Sequence, residues 1–91
     1  MENLNIITKI EDKAVLIGLQ VNNQDVDYYC RIGYLKNDDV FEFDSFYYND
    51  DINAFAIHYQ LKDINNKITK RVILLSRSVF DNKKSISDVL Y

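Results

Sequence analysis

The sequence contains no proline and no tryptophan, only two glycines, one cysteine and one histidine. Each shortage removes a class of chemistry. Cys30 alone cannot close an intramolecular disulfide, and one cysteine with His58 cannot build a Cys/His zinc site. A chain without disulfides suits a reducing compartment, so the cytoplasm is the expected location. Gly18 and Gly33 lie far from the acidic runs Asp38-Asp39 and Asp50-Asp51. No glycine-rich loop is therefore present to cradle phosphate, and no glycine marks the bend of a calcium loop. No apolar run approaches the roughly 20 residues that cross a bilayer as a helix, so no membrane partner is expected. The segment from Met1 to Lys13 lacks a basic stretch leading into an apolar one and does not read as a secretion signal.

What is present resembles an ordinary globular composition. The 91 residues are 47% apolar and 27% charged. That is enough apolar surface to offset ordering entropy. The length predicts a single domain, residues 1–91, with stability on the order of 5–13 kcal/mol. Asn, Ile, Lys, Asp and Tyr supply 47 of the residues. Most of their codons are rich in A and T, a pattern of low-GC bacteria, their phages and mobile elements.

The net charge is −3 and the pI about 4.9. Direct nucleic-acid binding needs clustered Lys and Arg, so none is expected. The charge is uneven. Residues 1–63 hold 12 acidic and 5 basic side chains, whereas residues 64–91 hold 2 acidic and 6 basic. The plainest account is that the two regions attract each other inside one fold.

Short apolar runs alternate with Asn/Asp-rich breaks, the pattern of an antiparallel meander. Leu4, Ile6, Thr8 and Ile10 alternate, and so do Val15, Ile17, Leu19 and Val21, with Gly18 and Gln20 on the other face. Asn22–Asp25 is a turn cluster. A third strand is expected over 26–36, with Val26, Tyr28, Cys30, Ile32 and Tyr34 on one face. Over 40–48, Phe41, Phe43 and Tyr47 are expected inward, and Glu42 and Asp44 outward. Residues 52–61 fit two periods. Ile52, Phe55, Ala56 and Tyr59 have helical spacing, while Phe55, Ile57, Tyr59 and Leu61 alternate as a strand. Ile64–Lys67 looks like a tight hairpin turn with both Asn65 and Asn66 at positive φ. The next strand places Ile68, Val72 and Leu74 on one side. Ser85 and Asp88 suggest a helix cap, with Ile86, Val89 and Leu90 on a short turn.

The pattern predicts a mainly β fold of about six antiparallel strands, as a curled sheet, small barrel or sandwich, with a short C-terminal helix. The alternative is an α+β fold with a helix at about 51–62.

No catalytic, cofactor-binding or metal-binding residues are predicted. His58 stands in an alternating aromatic strand, with no nucleophile motif in the sequence to complete a catalytic set. Cys30 reads as a small buried hydrophobe. The unusual stretch is Asp38 to Asp51, with six acids, five aromatics and no basic residue. Rows of carboxylates imitate phosphate charge and speed encounter with a cationic surface. Tyrosine supplies rigid amphipathic contact. Asp38, Asp39, Glu42, Asp44, Tyr47, Tyr48, Asp50 and Asp51 are the candidate partner-binding residues. The plainer account makes Phe41 and Phe43 core and the acids solubilising.

Three functions are compatible with this pattern. The first is a small cytoplasmic inhibitor, of the phage anti-defence, anti-CRISPR or toxin-immunity type. It would occlude a basic protein such as a nuclease or another nucleic-acid-binding enzyme, without cofactors and without being an enzyme. The second is a structural or assembly domain forming a homodimer or larger homo-oligomer. The third is a small-molecule binder with a tyrosine-lined pocket.

Overall fold

The computed structural model describes residues 1–84. Six antiparallel strands precede one short helix: β1 (Leu4–Glu11), β2 (Ala14–Val21), β3 (Tyr29–Tyr34), β4 (Val40–Asn49), β5 (Ala54–Lys62), β6 (Ile68–Ser76) and α1 (Arg77–Asp81). The strands divide into two sheets, ordered β1-β2-β3 and β4-β5-β6. The meander forms as its alternation predicts. A closed barrel does not, because each described sheet keeps two edge strands. The chain's contacts gather into two units, residues 1–34 with the segment from Ser78 onward, and Leu35–Arg77.

In the first unit, β1 and β2 form a hairpin in which Glu11 pairs with Ala14. Its two turn residues, Asp12 and Lys13, both have positive φ, at 48° and 69°. Two positive-φ residues match the right-handed twist of the flanking strands. Asn22 and Asn23 repeat the device, with the Gln24 amide donating to the Val21 carbonyl. Ile6, Val15, Ile17, Leu19, Cys30 and Ile32 are buried. Thr8, Ile17 and Cys30 share one row across the three strands. The other face carries Gly18 under Val26 and Tyr29, whose atoms would lie 2.5–3.0 Å from a Cβ built there.

The third strand is shorter than its composition suggests, and its alternation breaks. Leu16 pairs with Arg31 and Val15 with Gly33, so Ile32 is an extra residue in β3. Such a bulge moves every later side chain to the opposite face. Tyr34 is therefore exposed beside Arg31, whose guanidinium lies 5.0 Å from its ring centre. It does not join Cys30 and Ile32. Val26 precedes the strand and covers Gly18, so it too leaves the predicted face.

In the second unit, β5 is a strand and no helix occupies 51–62. Phe55, Ile57, Tyr59 and Leu61 are all buried. Burying four large side chains on one pleated face outweighs the helical spacing that Ile52 and Ala56 offered. β4 also carries a bulge. Phe43 pairs with Tyr59 and Ser45 with His58, leaving Asp44 extra. Phe41 and Phe43 are half-buried as predicted, but after the bulge Phe46 and Tyr48 take the inner positions. Tyr47, expected inward, is 63% exposed. Leu75 is buried on β6, whereas Ile68, Val72 and Leu74 share the exposed side.

The β5–β6 turn differs from the predicted two-residue form. The Asn66 amide donates to the Asp63 carbonyl, and the Asp63 amide donates to the Lys67 carbonyl. Only Asn66 has positive φ, at 63°. This is a three-residue loop, a turn ending in one left-handed residue. The Asp63 carboxylate fixes it by accepting from the Asn65 and Lys67 amides at 2.8 and 2.9 Å.

The helix α1 buries Phe80. Its end is a Schellman cap: the Lys84 amide donates to Val79, the Lys83 amide to Phe80, and Lys83 has φ 52°. Glycine usually takes that position, so Lys83 hid the signal. The predicted cap at Ser85 and Asp88 and the turn carrying Ile86, Val89 and Leu90 lie outside the described residues.

Candidate functional site

The candidate stretch coincides with β4 and its flanking turns, and β4 is an edge strand. Asp38 and Asp39 lie in the turn before it, whose closing bond runs from the Asp39 amide to the Lys36 carbonyl. Asp50 and Asp51 lie in the turn after it, where the Asp51 amide donates to the Asn49 side-chain oxygen at 2.9 Å. Ten strand residues at about 3.3 Å each put the two aspartate pairs roughly 35 Å apart. Glu42 and Asp44 fall between them, both exposed. The acids thus form a line along one edge and do not gather into a cluster. No ion pair among the described residues reaches any of the six carboxylates. The basic side chains on β6 make no direct ion pair with them. Glu42 alone has a side-chain partner, accepting from the Gln60 amide at 3.2 Å.

The two tyrosines part company. Tyr47 is exposed, opposite Ala56 on β5. Tyr48 points to the other face. Its ring centre lies 4.6 Å from that of Phe55, and its hydroxyl donates to the Asn53 side-chain oxygen at 2.8 Å. Consecutive strand residues face opposite sides, and the Asp44 bulge decides that Tyr48, not Tyr47, faces inward. Sequence alternation did not contain that information, although a charged residue interrupting an aromatic edge strand is a known device for ending strand pairing.

The inner face of this sheet is aromatic. Phe41 stacks on Tyr59 at 5.1 Å, and Phe46 lies 6.2 Å from Phe55. Burial pushes the Tyr59 phenol above its ordinary value, and Arg71, its neighbour on β6, opposes part of that rise. The folded state thus favours the neutral phenol. Its contribution is fully present below about pH 10 and is lost as pH rises through the raised folded value. Thermal melts across that alkaline range should show wild-type stability falling more steeply than that of Tyr59→Phe. Parallel curves for the two proteins would contradict the assignment.

His58 is exposed on the outer face, opposite Ser45 and Val72. Among the described residues no group of three or more His, Cys, Asp or Glu side chains is arranged to hold a metal ion. Cys30 is fully buried, and its thiol donates to the Arg31 carbonyl at 3.7 Å. In the first unit a cleft of about 370 Å³ is bordered by Asp25, Asp27, Asp81 and Lys83 and by Tyr28 and Phe80. That volume is at the low end for ligand pockets, and the lining has one tyrosine, unlike the aromatic pocket expected of a small-molecule binder.

No protein-family model matches the sequence, and neither a curated protein nor a solved structure matches it.

Proposed function

We propose that the protein is a non-catalytic binding protein that inhibits a basic partner by lying across its cationic surface with the β4 edge. The observation that carries this reading is the line of six carboxylates on one edge strand and its turns, none of them in an ion pair among the described residues. Of the six, only Glu42 has an internal hydrogen bond among the described residues to give up, that from Gln60, when the carboxylates meet Lys and Arg on a partner. They also raise the encounter rate before any contact forms. A nuclease or another nucleic-acid-binding enzyme supplies the matching surface, as in phage anti-defence or toxin-immunity pairs.

Magnitudes favour occlusion over close mimicry of a duplex. Six charges over roughly 35 Å is about one per 6 Å, whereas duplex DNA carries one per about 1.7 Å. Charge at that density steers a partner but does not reproduce DNA. Contact area from Tyr47 and the two turns has to supply the remainder.

The test replaces Asp38, Asp39, Asp44, Asp50 and Asp51 together by asparagine, which keeps size and turn preference and removes charge. Immobilised wild type and variant are exposed to lysates of phage-bearing low-GC bacteria. Wild type should retain a basic nucleic-acid-binding protein, and the variant should retain at least tenfold less. Equal retention overturns the proposal.

A second reading, an assembly domain, is favoured by a different observation, the exposed apolar side chains on the outer face of the β4-β5-β6 sheet.

A further inference from the structure

The outer face of the second sheet is described by its register. Across β4, β5 and β6 the rows are Val40–Lys62–Ile68, Glu42–Gln60–Lys70, Ser45–His58–Val72 and Tyr47–Ala56–Leu74. Val40, Tyr47, Ile68, Val72 and Leu74 are all exposed, Leu74 at 71%. Solvated sheet faces normally alternate polar-out, so five large apolar side chains on one such face call for a cover.

We infer that this face is covered by the same face of a second copy of the chain, related by a two-fold axis parallel to β5. The axis is set by complementarity. A rotation about the strand direction exchanges β4 with β6 and keeps each row opposite itself. Glu42 then meets Lys70 of the second copy, Tyr47 meets Leu74, and Val40 meets Ile68, each contact occurring twice. This is the self-complementarity an isologous interface requires. The other in-plane axis, perpendicular to the strands, reverses the row order. It sets Glu42 against Ser45 and Lys70 against Val72, so neither charge meets an opposite one. The strand-parallel axis also gives the aligned face-to-face packing usual for two sheets. Lys62 faces its own copy at the end of the face beside the 63–67 turn, where its stem packs and its ammonium reaches water.

The interface is small. Three strands about 4.8 Å apart and about nine residues long offer roughly 400–600 Å² per copy. A standard interface buries about 800 Å² per partner, so the dimer is weak and concentration-dependent. Its formation leaves the aspartates of the two β4 turns outside the contact. Glu42 and Tyr47 belong to both contacts, so dimer and partner complex exclude each other at these two side chains, and sedimentation of the chain alone tests self-association without the partner.

Sedimentation velocity over a concentration series tests the inference on the full chain. Wild type should move from monomer toward dimer mass with rising concentration. Glu42→Lys and Lys70→Glu should each weaken association at least tenfold, and the charge-swapped double variant should recover most of it. Leu74→Lys should abolish it. These positions are exposed, and unchanged circular dichroism and melting curves would confirm that the variants fold. Wild type that stays monomeric throughout, or a double variant no better than the singles, overturns the inference.

Discussion

Phe55→Ala is expected to cost about 3–5 kcal/mol, the usual range for removing a buried phenylalanine side chain. Phe55 is fully buried, with Tyr48 4.6 Å away and Phe46 6.2 Å away, ring centre to ring centre. Its removal strips Phe46 and Tyr48 of their common contact. The cavity cannot close easily, because both neighbours are fixed to edge strand β4 and Tyr48 is tied to Asn53. Against a total on the order of 5–13 kcal/mol, this loss is a large fraction of stability. The melting temperature should fall by roughly 12–40 °C at about 4–8 °C per kcal/mol. Phe55→Leu should cost far less. A loss below about 1 kcal/mol for the alanine variant would show that the aromatic cluster does not form the core of the second unit.

Gly18→Ala should destabilise the protein by about 1–3 kcal/mol, although alanine ordinarily suits a strand better than glycine. The cause is space. A Cβ at position 18 would stand 2.5 Å from Val26 Cγ1 and 2.8 Å from Tyr29 Cε2. Neither atom lies at the end of a flexible chain. Shifting Tyr29 also disturbs Lys9, whose ammonium rests 4.1 Å from the ring centre. The double variant Gly18→Ala/Val26→Ala should lose less than the sum of the single effects, because the second change vacates the space the first needs. Strict additivity in urea unfolding would contradict the overlap.

Where the sequence was legible, periodicity carried the signal. Val15, Ile17 and Leu19 alternate and are buried, and Phe55, Ile57, Tyr59 and Leu61 do the same in the stretch that also fitted a helix. Single inserted residues stayed hidden. Ile32 is an ordinary strand residue and Asp44 fits an outward position in the alternation, yet each is an extra residue that turns every later side chain of its strand to the opposite face. This is why Tyr34 and Tyr47 are exposed and why Phe46 is not. The cap at Lys83 was hidden for a related reason: lysine occupies a left-handed position where glycine or asparagine would have announced it. Of the candidate site, the strand and its two Asp-rich flanking turns were readable, whereas its place at a sheet edge follows from the division into two sheets. Which of Tyr47 and Tyr48 faces inward was not readable, since that depends on the bulge.

The central claim is that the β4 edge acts through its unpaired negative charge and performs no bond chemistry. Its most direct test is the association rate constant with the captured basic partner, measured against salt concentration for wild type and for the five-asparagine variant. Wild-type association should be fast and slow steeply as salt rises, and the variant should associate more slowly with a much flatter dependence. Superimposable salt curves for the two proteins would contradict the claim.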